Sequence, residues 1–179
     1  MTDSLIQIHD RYFKPMISHD EIIRKVESIA LEINNLNCKH PVFISVLNGS
    51  FMFTSDLCKY ITLQPKICFI KIASYEGIES TGAIKELIGI TEDLKDKDVF
   101  IIEDIIDTGN TLEYLYNHIL KEKPKKIYTI SLLFKPEAYK REISVNFVGF
   151  KIPNNFVIGY GMDYNELGRN LQDIYTLAH

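Results

Sequence analysis

The segment VFIIEDIIDTGNTL (99–112) decides the fold. Its apolar residues are β-branched or aromatic and end in two acids, Glu103 and Asp104. That is how a strand buried on both faces reads where it emerges from a sheet. Asp107, Thr108, Gly109, Asn110 and Thr111 then form a turn into TLEYLYNHILKEK (111–123), which has helical periodicity and stops at Pro124. Free N–H groups and the helix dipole make such a turn attractive to an anion. Gly109 would let the backbone approach the ligand closely, and Thr108 and Thr111 add hydroxyl donors. A plain acidic strand end with a Thr/Asp cap fits the same residues, so local physics leaves both readings open.

Working outward, Ser18 and Glu21 form a capping box, followed by Ile22, Val26, Ile29, Ile33 and Leu36 on one helical face. VFISVL (42–47) predicts a buried strand with a turn at Asn48, Gly49 and Ser50. FMFTSDLCKYI (51–61) predicts a helix and ICFIKIAS (67–74) a strand. Residues 75–85 are polar and aperiodic, which predicts a mobile loop, with ELIGI (86–90) as a short strand after it. DVFIIED (98–104), KIYTISLLF (126–134), VNFVGF (145–150), FVIGY (156–160) and DIYTL (173–177) complete the expected strands. Buried strands alternating with helices give an α/β class, a mainly parallel twisted sheet flanked by helices. The expected organisation is a single domain over 1–179, its N- and C-terminal segments forming a small accessory flap.

Composition narrows the function. The net charge is −4 with no basic block, which argues against nucleic acid as a partner. No apolar run approaches the ~20 residues of a membrane helix, and MTDSLIQIHDRYF has no signal-peptide pattern. Cys38, Cys58 and Cys68 fit no metal or redox spacing and read as reduced thiols, so a cytoplasmic location is expected. There is no GxxxxGK[ST], and Gly159 and Gly161 lack the third glycine of a dinucleotide fingerprint.

The segment resembles the signature of type I phosphoribosyltransferases: apolar strand, two acids, two apolar residues, then DTGxT. Along nearly the whole chain the resemblance extends to the hypoxanthine-guanine phosphoribosyltransferases, through VLNGSFMF (46–53), SYEGIESTG (74–82), SLLFKP (131–136) and FVIGYGMDYNELGRNL (156–171). The resemblance implies Mg²⁺-dependent transfer of the phosphoribosyl group from phosphoribosyl diphosphate to N9 of a 6-oxopurine base. Glu103 and Asp104 would hold the ribose hydroxyls and, with Asp163, the metal. Residues 107–111 would cradle the 5′-phosphate, with Asp107 as the acid/base near purine N7. Lys135 would donate to the 6-oxo group, Phe156 would stack on the purine, and the backbone at Val157 would read its edge.

Asn48, Gly49, Ser74, Tyr75 and Arg169 would face pyrophosphate, Ser74 and Tyr75 from a closing lid. Many relatives carry a lysine or arginine where this chain has Asn48. Magnesium and Arg169 would then carry more of the leaving group's charge. The family also implies a homodimer or homotetramer. Two alternatives stand beside this reading: a xanthine-preferring sibling enzyme, and a phosphoribosyl-diphosphate sensor that binds nucleic acid. The missing basic footprint counts against the second.

Overall fold

The computed structural model describes residues 5–74 and 84–178. Its larger sheet has the order β5-β4-β3-β6-β7-β8, built from β3 (Val42–Leu47), β4 (Lys66–Ser74), β5 (Ile84–Ile88), β6 (Asp98–Ile106), β7 (Lys126–Phe134) and β8 (Phe147–Lys151). All neighbours pair in parallel except the edge strand β5, which runs antiparallel to β4. The mainly parallel sheet expected from the sequence is therefore present.

Side-chain alternation splits the core into two layers. Phe43, Phe100 and Ile102 pack with Phe53 and Leu57 of α2 (Phe51–Tyr60) and with Ile22, Val26, Ile29 and Ile33 of α1 (His19–Asn34). Val42, Ile44, Val99 and Ile101 face the other way, against Leu112, Leu115 and Ile119 of α3 (Asn110–Lys121). A strand covered on both faces is apolar at successive positions, which is why VFISVL and VFII read as continuous runs. The capping box at Ser18 is formed, its side chain accepting from the Glu21 N–H while Glu21 accepts from Ser18 N at 2.9 Å.

A second, antiparallel sheet has the order β1-β2-β10-β9, from β1 (Ile6–Ile8), β2 (Arg11–Ile17), β9 (Val157–Ile158) and β10 (Ile174–Leu177). It forms the small flap. The residue-by-residue reading assigned no strand to β1 or β2. β1 has three residues, and β2 carries Pro15 and shows no regular alternation, so pairing with each other and with β10 rather than local pattern fixes them. β5 begins at Ile84, two residues before the expected ELIGI strand, because Ser74 and Ala73 pair with Ile84 and Lys85 across the edge. That corrects the last two residues of the expected loop, while its remainder, 75–83, lies outside the described residues. No helix among the described residues is long and apolar enough to cross a membrane. Cys38, Cys58 and Cys68 are free, and burial pushes the Cys68 thiol up to about 11.

Candidate active site

β6 and β7 run parallel in a register that sets Ile106 opposite Phe134. The next residues, Asp107 and Lys135, therefore leave the sheet side by side. The Lys135 amide donates to the Ile106 carbonyl at 3.0 Å, and its ammonium donates to Asp107 Oδ2 at 2.7 Å. Lys135 is 7% exposed, so its charge depends on that carboxylate for compensation. The pair sits at the C-terminal edge of the parallel strands, where α/β sheets bind ligands.

A cavity of about 240 Å³ opens there, lined by Asp104, Ile105, Asp107, Lys135, Phe156, Val157, Met162 and Asp163. Phe156 is 48% exposed and is flanked by Tyr164 edge-on at 5.8 Å and by Phe13 at 6.3 Å. An aromatic face left half open beside a cavity can stack a planar ligand. Val157 is buried and pairs with Thr176 across β9 and β10, which ties this wall to the flap.

Strand alternation sends the adjacent acids to opposite faces. Asp104 lines the cavity, whereas Glu103 is buried on the α3 side of the sheet, and its Oε1 has no hydrogen-bond partner. Burial, reinforced by the Asp104 charge, pushes Glu103 up to about 8. Asp104 is pushed up to about 6 by burial, which outweighs the backbone N–H groups of residues 104 and 105 and the Arg169 charge. Asp163 joins Asp104 at the cavity but accepts from the Glu166 N–H at 2.7 Å and pairs with Arg169 at 2.7 Å. No three His, Cys, Asp or Glu side chains gather as a metal cage among the described residues. Two cavity-facing carboxylates still suit magnesium, which commonly takes one or two carboxylates and fills its shell with substrate phosphates and water.

Gly109 stands at φ +84 and caps α3 without a side-chain hydrogen bond. Thr108 and Asn110 are exposed at the turn and Thr111 is half-buried in the first helical turn. On the other side of the cavity, an added Cβ at Gly49 would fall 1.8 Å from Asp104 Oδ2, and one at Gly161 would fall 2.0 Å from the Gly49 carbonyl. The loops at 48–50 and 159–163 thus close directly over Asp104. Beneath them, Ser50 Oγ donates to Val46 O and bonds Ser45 Oγ at 2.6 Å, with Thr54 behind at 2.7 Å. Asn48 is exposed and follows a cis peptide bond.

Arg169 does not line the cavity; it donates to the Gly161 carbonyl at 2.8 Å and holds Asp163. Ser74 ends β4, with its side chain outside the described residues, as is all of Tyr75. Sequence reading missed Met162 and Ile105 as cavity walls. Their only signal was adjacency to Asp163 and Asp104.

The chain matches the phosphoribosyl transferase domain over residues 16–165. It is 34% identical over 174 residues to a hypoxanthine-guanine phosphoribosyltransferase of Aquifex aeolicus, covering 96% of this chain and 98% of that one. It is 39% identical over 166 residues to the enzyme of that name from Bacillus subtilis, covering 92% of each. A crystal structure of a hypoxanthine-guanine phosphoribosyltransferase from Bacillus anthracis superposes with a TM-score of 0.86 at 39% identity, covering 92% of this chain and 98% of that one. With signature, sheet order, site and whole-length similarity in agreement, the chain belongs to the phosphoribosyltransferase family, among its hypoxanthine-guanine members.

Proposed function

We propose that this enzyme serves purine salvage by transferring the 5-phosphoribosyl group of phosphoribosyl diphosphate to N9 of hypoxanthine or guanine, giving IMP or GMP. The observation that carries this reading is the 2.7 Å Lys135–Asp107 pair at the mouth of a cavity flanked by Phe156 and Asp104. In the reaction the bond from C1′ to the diphosphate oxygen breaks, the bond from C1′ to N9 forms, and pyrophosphate leaves. Phe156 stacks on the purine and the Val157 backbone aligns its edge. Lys135 is a donor without an acceptor, so it matches a 6-oxo group and mismatches a 6-amino group. Asp107 takes up or returns the proton at N7 as N9 bonds, and the adjacent ammonium keeps its carboxylate oriented.

Residues 107–111 receive the 5′-phosphate on the N–H groups entering α3. Asp104, with Glu103 behind it, faces the ribose hydroxyls and stabilises positive charge developing at C1′. Gly49 and Arg169 receive the leaving group, with Asn48 contributing backbone and no charge. Asp104 and Asp163 are the residues that would hold magnesium, with Glu103 as the further acid on the same strand end. When bound, the ion supplies neutralisation of the diphosphate's charge. We further propose a cytoplasmic homodimer or homotetramer; the free cysteines support the compartment and membership of the family supports the assembly.

The test uses purified protein, phosphoribosyl diphosphate and magnesium with hypoxanthine, guanine, xanthine or adenine in turn. Nucleotide is expected from hypoxanthine and guanine. No product from any base would sink the enzymatic reading, and adenine as best acceptor would sink the role of Lys135.

A further inference from the structure

We propose that Arg141 is an additional cation for the 5′-phosphate, docked on the outside of the 107–111 turn and held in reserve by Glu113. This rests on the phosphate reading above. The segment after β7 folds back onto the turn: an added Cβ at Gly109 would lie 2.5 Å from Tyr139 Cε2 and 2.8 Å from Arg141 Cγ. From there Arg141 Nη2 donates to Asn110 Oδ1, at the first residue of α3. Its Nε lies 3.3 Å from Glu113 Oε2, yet it is buried and makes no hydrogen bond. The side chain is 31% exposed while Nε is buried, so a ligand arriving at the turn would meet the Nη end of the guanidinium.

Electrostatics makes this position unusual. A helix N-terminus is the positive end of the helix dipole, and a cation there is disfavoured unless an anion joins it. Glu113 supplies one negative charge and leaves Nε unsatisfied. A phosphate dianion would satisfy both the guanidinium fork and the free N–H groups of the turn. Lys135 is engaged by Asp107, and Arg169 by Asp163 and the Gly161 carbonyl, so both are committed on the cavity side of the site. Asn48 adds no charge. In a chain of net charge −4, Arg141 supplies locally the field that a phosphorylated sugar needs.

Calorimetric titration of the full chain with magnesium tests this, using ribose 5-phosphate, IMP and pyrophosphate as probes. Arg141→Gln should weaken ribose 5-phosphate and IMP roughly 10- to 100-fold, the worth of a charge-assisted hydrogen bond, and leave pyrophosphate within about twofold. Arg141→Lys should recover part of the loss, because charge returns without the fork. Glu113→Gln should tighten ribose 5-phosphate, and that gain should vanish in the double variant with Arg141→Gln. This coupling separates phosphate binding from a merely structural clamp, and if Arg141→Gln folds poorly it is read from the reduced gain in the double variant with Arg141→Lys. Unchanged ribose 5-phosphate affinity in Arg141→Gln, equal losses for pyrophosphate, or a Glu113→Gln gain independent of Arg141 would each overturn the inference. Wild-type protein that binds neither ribose 5-phosphate nor IMP would instead overturn the phosphate site itself.

Discussion

Asp107 and Lys135 stand 28 positions apart in the chain, and the structure joins them at 2.7 Å. Each alone reads as an ordinary strand-end residue. Together they form a donor beside a proton acceptor, the complement of the O6 acceptor and N7–H donor of a 6-oxopurine. Asp107→Asn keeps the shape and removes the base. Turnover should fall roughly 10²- to 10⁴-fold, while phosphoribosyl diphosphate binding changes little, because the turn's N–H groups remain. Steady-state kinetics with parallel titration of phosphoribosyl diphosphate checks this, and unchanged turnover would reject the assignment. The sequence marked both residues, but not their contact, which needs the parallel register of Ile106 with Phe134.

At the scale of elements, the loop between β3 and α2 and the loop after β9 meet over Asp104, two residues before the end of β6. Gly49 and Gly161 permit that meeting because neither position has room for a Cβ. Gly49→Ala should therefore push the loop off Asp104. Displacements near 1 Å at a reacting centre can cost about 100-fold in rate, and kcat/KM should fall on that order with the melting temperature little changed. A normal rate would show that Asp104 has space the packing does not suggest. The elements themselves were largely legible, since β3 and β7 coincide with their apolar runs and α1 with its capping box. β1 and β2 were not, because their residues alternate weakly and become strands only by pairing with each other and with β10.

Over the whole molecule, the buried Glu103 and the half-buried Asp104 set a pH dependence. Burial raises Asp104 to about 6 and Glu103 to about 8, so the folded state holds protons that the unfolded chain releases nearer 4. Stability of the ligand-free protein should therefore fall as pH rises from about 5 to about 8. Each ~1 kcal/mol moves the melting midpoint by roughly 2–4 °C in a chain of this size. Glu103→Gln should flatten the curve above about pH 6 and leave, below it, only the shallower slope that belongs to Asp104. Thermal melts across that range check it; identical slopes in wild type and variant would mean that Glu103 releases its proton at the same pH in the folded and unfolded chain.

The sequence by itself determined the alternation of strands and helices, the acids at the end of one strand and the glycine turn into a helix. Those features are local, written in periodicity and in residues with special backbone or charge. The tertiary structure decided the rest: which face each of the adjacent acids occupies, that Lys135 meets Asp107, that Phe13 and Tyr164 flank Phe156, and that Arg141 rests on the 107–111 turn. These depend on strand register and loop return, where residues distant in the chain share a few ångströms, and no local pattern encodes such distances.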